Sequence, residues 1–115
     1  MSFPTTTIDV DNGLVTLINV FTVASSRQRE LIAALDRSTG ELFVNLPGFR
    51  SANLHASQDG TRVVNYAQWA SEQHFQDMLR NAEARAHMAE IMTVADKAEP
   101  RLFTVSHIHH PSEQA

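Results

Sequence analysis

Residues 62–69, Arg62-Val63-Val64-Asn65-Tyr66-Ala67-Gln68-Trp69, constrain this chain more than any other stretch. β-Branched and aromatic residues dominate it, and it follows the turn signal Gln58-Asp59-Gly60. That combination predicts the second strand of a hairpin whose first strand covers residues 49–57. Side chains alternate along a strand, so Val63, Asn65, Ala67 and Trp69 share one face, and Arg62, Val64, Tyr66 and Gln68 share the other. The first face carries an amide and the only indole of the chain among small apolar residues. Both are neutral hydrogen-bonding groups that a buried strand holds only with partners. The plain alternative is that Trp69 is core and that Asn65 satisfies a neighbouring loop.

The remaining elements fall on either side of this hairpin. Residues 14–23 are apolar on both faces, Val15, Leu17, Asn19, Phe21, Val23 against Leu14, Thr16, Ile18, Val20, Thr22. They form a first strand covered from both sides, with Asn19 the odd member of its face. Ser25 or Ser26 is the expected N-cap of a helix, with Gln28 at capping-box spacing from Ser25. The helix is expected to reach about residue 45, with Leu31, Ile32, Leu35, Leu42 and Leu46 on its apolar side. Leu46-Pro47-Gly48 stops it and turns the chain into the hairpin. Ser71 caps a second helical stretch carrying Phe75, Met78 and Leu79, with a break near Arg80-Asn81. A continuation over residues 84–98 is ended by Pro100, and residues 101–108 form a fourth strand.

The order β-α-β-β-α-β predicts an α+β domain of ferredoxin-like architecture, with both helices on one face of the sheet. A chain of 115 residues is one domain. Its expected division is a polar N-terminal arm over 1–13, the folded unit over 14–108, and a tail over 109–115. The sheet face away from the helices would carry Ile18, Val20, Val64, Tyr66 and Leu54. That surface is too apolar for water, so a two-fold dimer through the sheet faces is expected.

Composition narrows the function. A net charge of −4 gives no electrostatic support for nucleic-acid binding. With no cysteine there is no disulfide, thiolate nucleophile or thiolate-bound metal. No run is long and apolar enough for a membrane span and no signal peptide is recognisable, so a soluble, cytoplasmic protein is expected. Phosphate-binding glycine loops, the G-x-S-x-G elbow and H-E-x-x-H are all missing from the sequence. His107, His109 and His110 lie close together without nameable co-ligands and read as solvated tail, while His55 and His74 read as surface. Neutral amides, an indole and an apolar surround are suited to binding an aromatic ligand and stabilising negative charge that develops on it. A substrate acidic enough to lose its own proton would need little more.

The run Leu46-Pro47-Gly48-Phe49-Arg50-Ser51-Ala52, then His55-Ala56-Ser57-Gln58-Asp59-Gly60-Thr61, residues 63–69, and Ser71-Glu72-Gln73 resembles the antibiotic biosynthesis monooxygenase family. The likeness extends over about residues 14–108 and is most specific over 46–75. It resembles the quinone-forming branch in particular, where Asn stands four before Trp. That resemblance implies a dimeric α/β barrel that inserts oxygen from O2 into a phenolic or anthrone-type substrate with no metal, flavin or haem cofactor. It implies Asn65 and Trp69 as the catalytic pair; Phe75, Asn19, His87, Arg85 and Met78 are the candidate substrate-binding residues.

Two positions depart from the branch. Phe75 stands where it has a tyrosine, and Ala89 where it has a helix arginine, with Arg85 one turn earlier. Two alternatives accompany this reading. A haem-degrading branch of the superfamily is matched by Asn19 and by His87 as a candidate iron ligand. The third is a binding or scaffold dimer without chemistry. An enzyme requires an open cavity of roughly 300 Å³ or more between the strand face and the helices; a scaffold requires that space to be packed.

Overall fold

The computed structural model describes residues 3–10 and 12–112. Met1, Ser2 and Asp11 of the expected arm, and residues 113–115 of the expected tail, lie outside them. The elements are β1 (Val15–Thr22), a 3-10 turn (Ser25–Arg27), α1 (Gln28–Glu41), a second 3-10 turn (Phe43–Asn45), β2 (Phe49–Ala56), β3 (Arg62–Trp69), α2 (Glu72–Arg80), α3 (Ala82–Ile91) and β4 (Lys97–Phe103). The four strands form one antiparallel sheet in the order β2-β3-β1-β4. This is the expected ferredoxin-like arrangement. β3 has the bounds predicted for it, and as an inner strand it pairs with β1 and β2.

Register decides which side chains meet. Leu17 stands opposite Ala67, Asn19 opposite Asn65, and Phe21 opposite Val63. Those six residues occupy the face under the helices. They divide the core, because Phe21 and Val63 join Val23, Leu31, Ala34, Leu35 and Ile91 in one buried cluster. Leu17 and Ala67 join Trp69, Phe75, Met78 and Ala84 in another. The two asparagines sit at the seam between the clusters.

Several boundaries differ from expectation. Neither Ser25 nor Ser26 caps α1; the chain enters through the 3-10 turn with no side-chain cap hydrogen bond. Gln28 instead donates Nε2 to the carbonyls of Ser57 and Arg62, at 3.0 and 2.9 Å, tying the start of α1 to the hairpin end. Its capping-box spacing is therefore used for a tertiary contact. Ser71 does cap α2, its Oγ accepting from the His74 amide, and Asn81 ends α2 and caps α3 through Ala84. The break near Arg80-Asn81 is thus a change of direction at Asn81. Helix α3 ends at Ile91, short of the expected 98, and Pro100 lies inside β4 opposite Asn19. A proline is tolerated there because β4 is an edge strand, where a missing N–H leaves no inner ladder broken.

The opposite sheet face carries Ile18, Val20, Val64 and Tyr66, all half-buried. Leu54 was expected with them but pairs with Asn65 and packs against the helix-side core. At one end of this face the N-terminal segment is docked through polar groups. Gln68 Nε2 donates to the Thr7 carbonyl at 2.9 Å, and Ser51 Oγ donates to Gln68 Oε1 at 2.8 Å. Thr6 donates to the Asn53 carboxamide, whose Nδ2 donates to the Tyr66 carbonyl at 2.8 Å. This chain of bonds satisfies Gln68, which is buried beside its cross-strand neighbour Thr16 at that end of the face. Among the described residues, no helix is long and apolar enough to cross a membrane.

Candidate active site

The seam between the two core clusters opens into a cavity of about 250 Å³. Asn19, Asn65, Trp69, Phe75 and Met78 line it, with Leu17, Phe21, Phe43, Phe49 and Met88 among their neighbours. The volume falls somewhat below the expected lower bound. The space is nevertheless open: the Trp69 and Phe75 rings meet edge to face at 6.3 Å without closing it.

Its polar atoms are few. Asn19 Oδ1, Asn65 Oδ1 and Trp69 Nε1 are buried and have no hydrogen-bond partner among the described residues. An unpaired buried polar atom costs roughly 1–3 kcal/mol, so three in one place are a standing cost to the fold. The plain alternative for Asn65, satisfaction by a nearby loop, is not what is seen. Nor does Asn65 bond to Asn19, although the two are cross-strand neighbours. Trp69 is held in place by its neighbours. Phe49 packs edge-on against it at 5.6 Å and 90°, and a bulge between Phe49 and Ser51 brings the start of β2 into that position.

Gly48 seats this end of the site. It adopts φ +82°, and a Cβ there would lie 2.2 Å from Cγ of His74. The His74 ring therefore lies directly on the Gly48 backbone, and Ser71 Oγ is 2.7 Å from its Nδ1. A residue expected at the surface instead clamps the start of α2 to the turn before β2, which positions Phe75 and Met78 one turn later.

Two expected contacts are not made. Arg85 is exposed on α3 and does not line the cavity, because its position on the helix points away from the sheet. His87 is half-buried behind the wall, its Nδ1 2.8 Å from Ser38 Oγ and its ring 6.5 Å from that of Phe43. It too is not a lining residue, so the iron-ligand reading of His87 has no open coordination space beside it. Ala89 is exposed. His55, His107, His109 and His110 are exposed, and among the described residues no three metal-ligating side chains come together.

Sequence reasoning missed Phe43, Phe49 and Arg101. The Pro47-Gly48 turn implied that Phe49 begins a strand, but only the bulge places its ring on Trp69. Arg101 was assigned to the start of a strand that in fact begins four residues earlier, at Lys97. Among the described residues it is the one charged group at the cavity wall.

Chemically, the site offers an apolar slot, two amides, one indole N–H and Arg101, with no carboxylate or imidazole at its wall among the described residues. Such a slot orients an aromatic molecule, excludes water from it and interacts with its oxygens through neutral groups.

The sequence profile of the antibiotic biosynthesis monooxygenase family matches residues 14–90. Tetracenomycin-F1 monooxygenase of Streptomyces glaucescens is 42% identical over 101 residues, which is 88% of this chain and 89% of that protein. Among solved structures, a monooxygenase from the gene ActVA-Orf6 of Streptomyces coelicolor, in complex with nanaomycin D, is 34% identical. Its TM-score is 0.67, with 87% of this chain and 93% of that one covered. SnoaB, a cofactor-independent oxygenase from Streptomyces nogalater, is 26% identical with a TM-score of 0.69, covering 84% and 96%.

Proposed function

Because the chain belongs to the antibiotic biosynthesis monooxygenase family, we propose that it is a cofactor-independent monooxygenase that converts an anthrone-, phenol- or quinol-type aromatic substrate to a quinone with O2. The observation that carries this reading is the set of unpartnered atoms, Asn19 Oδ1, Asn65 Oδ1 and Trp69 Nε1, on residues that line one apolar cavity. The oxygenase relatives named above support it.

The chemistry asked of the protein is modest. The substrate loses a proton from an acidic C–H or O–H and becomes an electron-rich enolate or phenolate. That anion passes one electron to O2, and the resulting radical pair joins to form a C–O bond. The peroxide takes up a proton and loses water, leaving C=O on the substrate; one atom of O2 is in the quinone and the other in water. In this reading the Trp69 indole N–H and the Asn65 amide N–H donate to the substrate oxygen as its charge grows, while the unpartnered Asn65 Oδ1 accepts from a hydroxyl of the substrate, at little reorganisation cost in a dry site. Phe49, Phe75 and Met78 keep the ring system flat and water out. Phe75 supplies no hydroxyl, so proton transfer falls to the substrate's own acidity and to solvent at the mouth.

The functional unit in this reading is residues 14–108, acting in the cytoplasm as a two-fold dimer. Ile18, Val20, Val64 and Tyr66, half-buried in the single chain, would be covered by the same face of a second copy.

The direct test is oxidation of anthrone under 18O2. One labelled oxygen in the anthraquinone, formed well above the spontaneous rate by protein dialysed against chelator, is the expected result. A rate equal to autoxidation would sink the proposal.

A further inference from the structure

The cavity wall is neutral except at one point, and that exception calls for a ligand group of its own. Arg101 lies on β4, between Pro100 and Leu102, and all three line the cavity. Its Cα is registered with Ile18, so on an inner strand its side chain would lie on the sheet face away from the helices. β4, however, is the free edge of the sheet. There Nη1 donates to the carbonyl of Pro100, itself a lining residue, at 2.9 Å.

That is the single side-chain hydrogen bond of Arg101 among the described residues, and none of their carboxylates lies within ion-pair distance of it. Arg27, Arg37 and Arg80, by contrast, each lie within ion-pair distance of an acid. A guanidinium has five N–H donors in a planar fork that fits a carboxylate with two parallel bonds. Here four are idle, beside an opening whose other lining groups are apolar or neutral. In a chain of net charge −4, a cation so placed also sets the local sign of the potential at the entrance.

We propose that Arg101 is a specificity residue that docks an acidic substituent, a carboxylate on the rim of the aromatic substrate, at the mouth of the cavity. The substrate class is then an aromatic acid, with its reacting ring buried toward Asn65 and Trp69 and its carboxylate outside at the β4 edge. This rests on the oxygenase reading of the same cavity, but its test is one of binding and fails or succeeds separately. A ketone or phenol alone would leave Arg101 without a role in recognition.

The chain holds one tryptophan, and Trp69 lines the cavity, so its emission reports occupancy. Binding of anthraquinone-2-carboxylate is compared with that of its neutral 2-hydroxymethyl analogue, both inert to O2. The exposed contact is expected to favour the carboxylate about fivefold at low salt, less as salt is raised. In Arg101→Gln the two ligands should bind alike, whereas Arg29→Gln, an exposed change on α1, should keep the preference. Sedimentation of Arg101→Gln separates a role in recognition from one in association between copies. Equal binding of the two ligands to the unaltered protein, a preference that survives Arg101→Gln, or no quenching by either would each overturn the proposal. Turnover of anthrone, which carries no acid, tests the oxygenase reading independently.

Discussion

Asn19 and Asn65 stand directly opposite each other in the β1–β3 ladder, and neither carboxamide oxygen is satisfied by the other or by any other described residue. Phe21 and Val63 lie two residues away on one side, and Leu17 and Ala67 on the other. A sheet built only for stability would carry apolar residues through this position. Instead the core is interrupted at the point where the cavity opens.

That interruption predicts a trade between stability and activity. Asn65→Val removes an unsatisfied buried amide and substitutes a residue suited to a strand. The variant should gain about 1 kcal/mol in urea denaturation. Its anthrone turnover should fall on the order of a hundredfold, the usual effect of losing one well-aimed polar group. A variant that is both less stable and fully active would contradict the assignment.

Trp69→Phe tests the indole N–H separately from the ring. The aromatic contacts with Phe49 and Phe75 are largely kept, so the fold should survive with a loss of roughly 1–2 kcal/mol. If Nε1 steadies the developing oxyanion, kcat drops while KM changes little. An unchanged kcat would assign Trp69 to packing alone.

Gly48→Ala should loosen the site from a distance. The φ of +82° disfavours any side chain, and the added Cβ would meet the His74 ring near its root, at 2.2 Å from Cγ. The start of α2 must then shift, taking Phe75 and Met78 with it. We expect at least about 2 kcal/mol of destabilisation, little of it recovered with His74→Ala, whose Cβ would still lie 2.4 Å from the added one, and only the steric part of it recovered with His74→Gly. Full recovery would mean that the backbone conformation costs nothing.

The hairpin end carries a pH-sensitive knot. Asp59 accepts from the Thr61 amide, the Thr61 hydroxyl and the Ser57 hydroxyl, and these bonds hold its carboxyl down at about 2, from an ordinary value of 3.8. A carboxylate depressed on folding stabilises the protein above its unfolded value, and that contribution is lost as pH falls through the folded one. The loss therefore belongs between pH 3.8 and about 2. Over that window the stability of the unaltered protein should fall more steeply than that of Asp59→Asn; parallel curves would remove the effect.

Association is tested on the opposite face. Val64→Asp places a charge among Ile18, Val20 and Tyr66, on the surface expected to be shared by two copies. Sedimentation at micromolar concentration should show a dimer for the unaltered chain and a monomer for the variant. A monomer in both cases leaves that face to another partner.

Much of this molecule was legible from local chemistry. The alternation in residues 62–69 placed Asn65 and Trp69 on one face, because a strand has a period of two whatever surrounds it. Gln58-Asp59-Gly60 announced the hairpin, Ser71 the start of α2, Arg80-Asn81 a break in the second helical stretch, and apolar patterning the element order. Motif likeness over residues 46–75 pointed to the family before any coordinates were considered. What local chemistry did not determine were contacts between segments distant in the chain. Pro100 reads as a helix stop from its ring and missing N–H, yet it lies in a strand because that strand is at an edge. Gln28 has the spacing of a capping residue, but the hairpin end offers it better acceptors. Arg85 and His87 occur in the helix the resemblance indicated, and only packing against the sheet shows which side of that helix faces the cavity. The cavity itself arises from register. Asn19 and Asn65 are 46 residues apart, and only the β1–β3 ladder brings them together at the gap between two halves of the core.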